Sequence, residues 1–261
     1  MWRKRLRVRI SPFEVSIAAG EAIERFAVEE SQDLSQWRHA VAVLSGQLVL
    51  PRFAGRISLE VELSNHFVRY LVIPQRRELR GRAELMAFVR HRFVHTYGPS
   101  AQDWALCLSG DGPARLAAAA DSGLVLALQA LCKKSGKLRC VIPSFSAGFD
   151  RTRFGASEER YWYVQAERAR VCIGCVELGR WALVHGQSLI TGDAEELGGI
   201  FQQLAMTSAG WIPEMPVYTQ GIDAATLGEL AAQGWRVRES APAKAAASTI
   251  PSSIRSVESR S

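Results

Sequence analysis

The first residues of the chain alternate. Leu6, Val8 and Ile10 fall on one side and Arg5, Arg7 and Arg9 on the other, the period of a half-buried strand with a basic outer face. Ser11-Pro12 interrupts the pattern and Phe13–Ile17 resumes it, which predicts a hairpin. A short third strand fits Ile23–Val28. Ser31, Gln32 and Asp33 offer capping groups ahead of Leu34, Trp37, Val41, Leu44 and Leu48, whose spacing predicts a helix ended by Pro51. Arg56–Leu63 and Phe67–Ile73 alternate as strands. A helix follows over Ala83–Tyr97, closed by Gly98-Pro99. Trp104–Leu108 and Leu116–Ala120 read as strands, Asp121-Ser122 caps a helix to about Lys134, and Leu138–Ile142 returns as a strand. A short helix fits Ser144–Arg153.

The second half is more regular. Tyr161–Val164, Arg170–Val176 and Arg180–Val184 predict a three-strand meander. The helix Ala194–Ser208 carries Leu197, Ile200, Phe201 and Leu204 as its apolar stripe. Strand Val217–Thr219, helix Ala224–Ala232 stopped by Gly234, and strand Trp235–Arg238 complete the order βββαβαβ. The first half has nearly the same order with an insertion from about Ser64 to Gly112. The predicted class is α/β, a duplicated ribonuclease-H-like (actin-like) architecture of two βββαβαβ halves, residues 1–155 and 156–239, dividing near Gly155–Glu159. Residues 240–261 are rich in Ala, Ser and Pro and have too few large apolar side chains to pack, so a disordered tail is expected.

Composition narrows the class. With 261 residues, 48% hydrophobic and 22% charged, the chain can bury a core without staples. Five cysteines, an odd count, fit a reducing compartment better than a disulfide framework. No run approaches a membrane span, and the basic N-terminus lacks the apolar stretch of a signal peptide, so a cytoplasmic location is expected. The net charge of +6 is partly local: five of the first nine residues are Lys or Arg, and Arg76, Arg77, Arg80 and Arg82 cluster. Solvated faces explain most of this; peripheral contact with anionic lipid or an acidic partner explains the rest. No zinc-finger spacing, RNP-like signature or GXXG loop supports nucleic-acid binding.

Other chemistry is weakly signalled. Cys172-Ile173-Gly174-Cys175 lies within a strand pattern, where residues i and i+3 point to opposite faces, so structural thiols are expected rather than zinc or redox chemistry. His91 and His95 have the i, i+4 spacing of a helical zinc site without the zincin glutamate; both fall opposite the stripe Leu85, Met86, Val89, Phe93 and Tyr97, which predicts an exposed face or a partner contact. No carboxylate cluster suits a two-metal nuclease and no nucleophile elbow appears. Tyr161, Trp162, Tyr163 and Trp181 are expected to pack the second half, and Trp104, Trp211 and Trp235 to pack at element edges. No residue is assigned to catalysis, a cofactor or a metal.

The run Leu63-Ser64-Asn65-His66-Phe67-Val68-Arg69-Tyr70-Leu71-Val72-Ile73-Pro74, followed by a helix ending at Tyr97-Gly98, resembles a segment of the actin-like pilus-biogenesis PilM family. It is also similar to the cytoplasmic domain of the type II secretion L protein. The passage from Leu116 through the helix after Asp121 to Leu138–Ile142 and Ser144–Arg153 extends the likeness, which spans roughly residues 5–238. The resemblance implies a cytoplasmic scaffold that couples inner-membrane assembly-platform proteins to a motor ATPase. The L protein continues into a membrane helix; no such helix is evident here, so the layout is nearer PilM. An actin-like nucleotide site would need Asp-x-Gly in a hairpin of each half and a Gly-Gly adenosine turn. Ile10–Glu14, Val164–Arg168 and Tyr218–Gly221 all depart from this, and Gly198-Gly199 falls inside a helical stripe. A non-enzymatic scaffold is therefore expected, with an actin-like ATPase or nucleotide-gated switch as the alternative. Partner contacts are expected at Arg76, Arg77 and Arg80, at His91 and His95, and along Arg5, Arg7 and Arg9, read as an edge strand open to augmentation.

Overall fold

The N-terminal alternation becomes β1 (Lys4–Ile10), with Leu6, Val8 and Ile10 buried and Arg5, Arg7 and Arg9 exposed. The structure, a computed structural model, describes residues 4–30, 36–53, 56–74, 76, 79, 81–109, 114–152, 159–207 and 215–239. The proposed caps Ser31–Asp33, the division between halves, Trp211 and the tail 240–261 lie wholly or largely outside them. β1 pairs antiparallel with β2 (Glu14–Ala19), which pairs with β3 (Ala22–Ala27). On its other side β1 runs parallel to β4 (Ile57–Leu63), and β4 parallel to β8 (Gly136–Pro143). The order β3-β2-β1-β4-β8 makes β1 the central strand, which corrects the expectation that Arg5–Arg9 form an open edge. Both of its ladders are already used, so no partner strand can add to it.

α1 (Trp37–Leu48) and α3 (Ser122–Ser135) flank the apolar face of this sheet, lining Leu44, Leu124 and Leu128 against Leu6, Val8, Leu59 and Val61. Asp121 caps α3, accepting from the Gly123 N–H at 2.7 Å and from Trp37 Nε1 at 3.0 Å. Between β4 and α3 the chain builds a second layer: β5 (Val68–Pro74), α2 (Arg82–Tyr97), β6 (Ala105–Leu108) and β7 (Ala114–Ala120), in a sheet ordered β5-β7-β6. The alternation alone closes this insertion near Gly112, yet the strand after it is the middle strand of the small sheet. The reason is its alanine run: Leu116, Ala118 and Ala120 face the main core while Ala117 and Ala119 face Val89 and Phe93 of α2.

The second half repeats the plan. β9 (Arg160–Glu167), β10 (Arg170–Glu177) and β11 (Arg180–Ser188) form the meander, then come α5 (Ala194–Thr207), β12 (Val217–Gln220), α6 (Ala224–Ala232) and β13 (Val237–Glu239). The order β11-β10-β9-β12-β13 matches third-second-first-fourth-fifth in the first sheet, with β9, β12 and β13 parallel. The duplication read from the element order is thus present in space. α4 (Ser144–Arg151) joins the halves.

β10 is a wall between two cores. Cys172 and Val176 face the first half, while Val171, Ile173 and Cys175 face α5. The two cysteines of the CxxC therefore sit in different cores, and burial pushes both thiols up to about 12. Tyr161, Tyr163 and Trp181 join the core shared with the first half rather than one private to the second; Trp162 and Trp235 pack beneath α5, and Trp104 packs beside α2. Gly198 lies buried in α5 beside Gln233, a packing point.

Candidate functional site

The carboxyl ends of β4 and β8 meet those of β9 and β12, the place where ligands of α/β sheets ordinarily bind. Here the crevice is crossed by the chain's own side chains. Ser64, Asn65, Ser144 and Gln165 are each 3% exposed or less. Ser64 Oγ and the Asn65 N–H (3.1 Å) both donate to Glu167 Oε2. Arg9 Nη2 donates to Glu167 Oε1 at 2.9 Å. Asn65 Nδ2 donates to Gln165 Oε1 at 2.9 Å, and Asn65 Oδ1 accepts from the Tyr70 hydroxyl (2.8 Å) and the Phe145 N–H (3.1 Å). Gln165 Nε2 reaches Ser144 Oγ at 3.3 Å and Gln220 Oε1 at 3.4 Å, and Tyr163 donates to Gln220 Oε1 at 2.8 Å. Ser144 donates to Glu62 Oε1 at 3.1 Å, and Arg151 holds Glu62 through two nitrogens at 2.8 and 3.3 Å.

Two carboxylates, Glu62 and Glu167, are thus balanced by Arg9 and Arg151. Burial opposes the charge on Arg151, but its hydrogen bond and charge contact with Glu62 outweigh this and raise its pKa. Burial pushes the Tyr163 and Tyr70 hydroxyls up, so both remain donors. α4 closes the crevice from one side at Gly148, where a Cβ would overlap Tyr163 Oη and crowd the amides of Gln220 and Gln165.

Of the hairpins that face this crevice, the first spends its donors within its own turn and the second ties its turn to the other half. In the first, the N–H groups of Phe13 (3.3 Å) and Glu14 (2.9 Å) donate to Ser11 Oγ, and Pro12 has none. In the second, Arg168 and Ala169 make a two-residue turn whose Arg168 carbonyl accepts from His66 Nε2 at 2.8 Å, a bond across the halves. Burial lowers the His66 pKa, partly offset by that bond and by the Glu167 charge. Ala169 has φ +58°, a region that costs a residue with a Cβ about 1–2 kcal/mol. Ala169→Gly is expected to stabilise the fold by about 1 kcal/mol, a rise of roughly 2–4 °C in the thermal midpoint read by calorimetry. The third loop turns at Gly221 (φ +78°), and the space that its missing Cβ leaves is filled by the Ala166 carbonyl.

Solved structures match nearly the whole chain. One is a protein from Bacteroides thetaiotaomicron with an actin-like ATPase fold and unknown function, at 14% identity and a TM-score of 0.56 over 89% of each chain. The fold is actin-like. A second actin-like match is the cytoplasmic domain of EpsL, an inner membrane component of the type II secretion system of Vibrio cholerae, at 12% identity and a TM-score of 0.54 over 91% of this chain and 90% of that one. A third is a PilM–PilN type IV pilus biogenesis complex, at 12% identity and 0.56 over 90% and 87%. No protein-family model and no curated protein matches by sequence.

In this actin-like chain the residues expected to meet partners fall in separate places. Arg5 and Arg7 lie on the open face of the first sheet, where they and Arg139 converge on the buried Glu60 at 2.7, 3.7 and 3.3 Å. Arg9 belongs to the crevice network. All three arginines are therefore engaged within the fold, on a strand with no open edge. Arg76 is exposed and sits 5.8 Å from the Phe88 ring centroid; Arg77 and Arg80 lie outside the described residues. His91 and His95 stand exposed on α2 with ring centroids 6.5 Å apart. Among the described residues, no three His, Cys, Asp or Glu side chains are grouped to hold a metal, and no helix is long and apolar enough to cross a membrane. The sequence reading did not single out Asn65, Ser144, Gln165, Glu167 and Gln220 as a cluster. Their one shared signal is position: each ends or follows a strand that points into the crevice.

Proposed function

We propose that the chain is a non-enzymatic, actin-like scaffold at the cytoplasmic face of a bacterial type IV pilus or type II secretion platform. It acts by protein–protein contact with inner-membrane assembly proteins. The observation that carries this reading is the crevice: Glu62 and Glu167 lie where phosphates would have to enter, bound by the chain's own arginines, hydroxyls and amides. A polyphosphate would meet two carboxylates, Glu167 with its side chain 6% exposed and Glu62 at 19%, and would leave polar partners of a satisfied network unpaired. The matches to EpsL and to the PilM–PilN complex support the setting. A motor ATPase and an anionic membrane surface are further proposed contacts.

Calorimetric titration of ATP with Mg²⁺ into the full chain is expected to give no heat and no thermal shift up to millimolar nucleotide. Micromolar binding would overturn the scaffold reading in favour of an actin-like ATPase or nucleotide-gated switch.

A further inference from the structure

Two arginines outside the crevice form no ion pair with a described carboxylate. Arg69 is on β5, at the edge of the small sheet; Arg170 opens β10 in the second half. Strand alternation aims Arg170 with Cys172 toward the first half, and Gly186 on β11 leaves room for it: a Cβ there would stand 3.3 Å from Arg170 Nη2. β11 and β5 are neighbours in space yet edges of different sheets, and His66 spans the seam between the two arginines: its carbonyl accepts from Arg69 Nη1, and its Nε2 bonds the Arg168 carbonyl two residues before Arg170.

Both are half-buried. Arg69 donates Nη1 to the carbonyls of His66 (3.2 Å) and Val68 (3.1 Å), while Arg170 Nε is buried with no hydrogen-bond partner. No described carboxylate forms an ion pair with either one. Glu167, on the next turn, is held by Arg9, Ser64 and Asn65. Burial, and after it the Arg170 charge, lowers the Arg69 pKa. Two like charges kept together away from bulk water repel, and an oxyanion between them removes the repulsion while accepting from both forks.

We propose that Arg69 and Arg170 receive the carboxylate of an acidic side chain on a protein partner, at the seam between the small sheet and the second half. The partner's being a protein rests on the scaffold reading; the oxyanion chemistry rests on the arginines alone. An occupant there bridges β5 of the inserted layer and β10 of the second half.

The test uses the full chain and a fluorescently labelled hexaglutamate peptide, followed by anisotropy at low salt. Wild type is expected to bind. Arg69→Gln and Arg170→Gln should each weaken binding by about tenfold. Arg38→Gln, on the exposed start of α1, should leave it unchanged and so excludes general attraction to a basic protein. Without peptide, Arg170→Gln should melt at or above the wild-type temperature, because a repulsion is removed. Equal binding by wild type and both seam variants overturns the proposal. So does a marked loss of stability in Arg170→Gln, which would make the residue structural, and so does binding of inorganic phosphate without hexaglutamate. A silent ATP titration beside failed peptide binding removes this site and leaves the scaffold reading standing; ATP binding removes that reading whatever the peptide does.

Discussion

Replacing Glu167 with alanine is expected to lower the thermal midpoint by roughly 6–12 °C. Its carboxylate is the acceptor for Ser64 Oγ, the Asn65 N–H and Arg9, and these three groups come from the first half while Glu167 ends β9 of the second. Alanine leaves a buried hydroxyl and a buried amide without an acceptor, and leaves Arg9 with only its longer contact to Glu62 at 3.9 Å. Breaking one side of a buried pair costs about 3–5 kcal/mol. The lower end applies here because the Arg9 side chain is 47% exposed and can return to water. At this chain length each kcal/mol moves the midpoint by roughly 2–4 °C. Glu167→Gln retains an acceptor for Ser64 and Asn65 and should lose about half as much. Scanning calorimetry of the three proteins decides it: equal midpoints would mean that the network does not hold the halves together.

Gly221→Ala should cost about as much for a different reason. The residue has φ +78°, and a Cβ would overlap the carbonyl of Ala166, which is backbone and cannot swing aside. The left-handed conformation contributes about 1–2 kcal/mol and the overlap about 1–3 kcal/mol. Gly20 separates the two terms, for it has φ +67° and nothing within 4 Å of a would-be Cβ. Gly20→Ala should lose only the conformational part, about 1–2 kcal/mol. If the two variants melt together, the close approach of β9 to the β12 turn is not what requires the glycine. The comparison bears on function as well, because the gap beside this turn is already occupied by the chain's own carbonyl.

The faces of the elements were legible in the sequence because strand and helix periods are local. Leu6, Val8 and Ile10 are buried, and Cys172 and Cys175 do point to opposite cores. What the period of two does not carry is a strand's neighbours. Whether Arg5–Arg9 lie at an edge depends on parallel pairing with Ile57–Leu63, some fifty residues away, and that pairing is set by the helix α1 that returns the chain. The same limit hid the crevice. Asn65, Gln165 and Gln220 match no motif, and an amide is ordinary at a strand end; their meaning arises only when two sheets bring their carboxyl ends together. The end of the insertion was misplaced because Ala117–Ala120 looks like any buried strand until α2 is seen on its far side.

The small sheet touches apolar layers on both faces, with β7 offering alanines to each. Its consequence is mechanical. A layer packed on both sides has no slack, so a tug on α2 passes through one thickness of backbone into the shared core and on to β11, without a linker to absorb it. In an assembly where a neighbour pulls, this protein would behave as a stiff bracket whose two ends move as one.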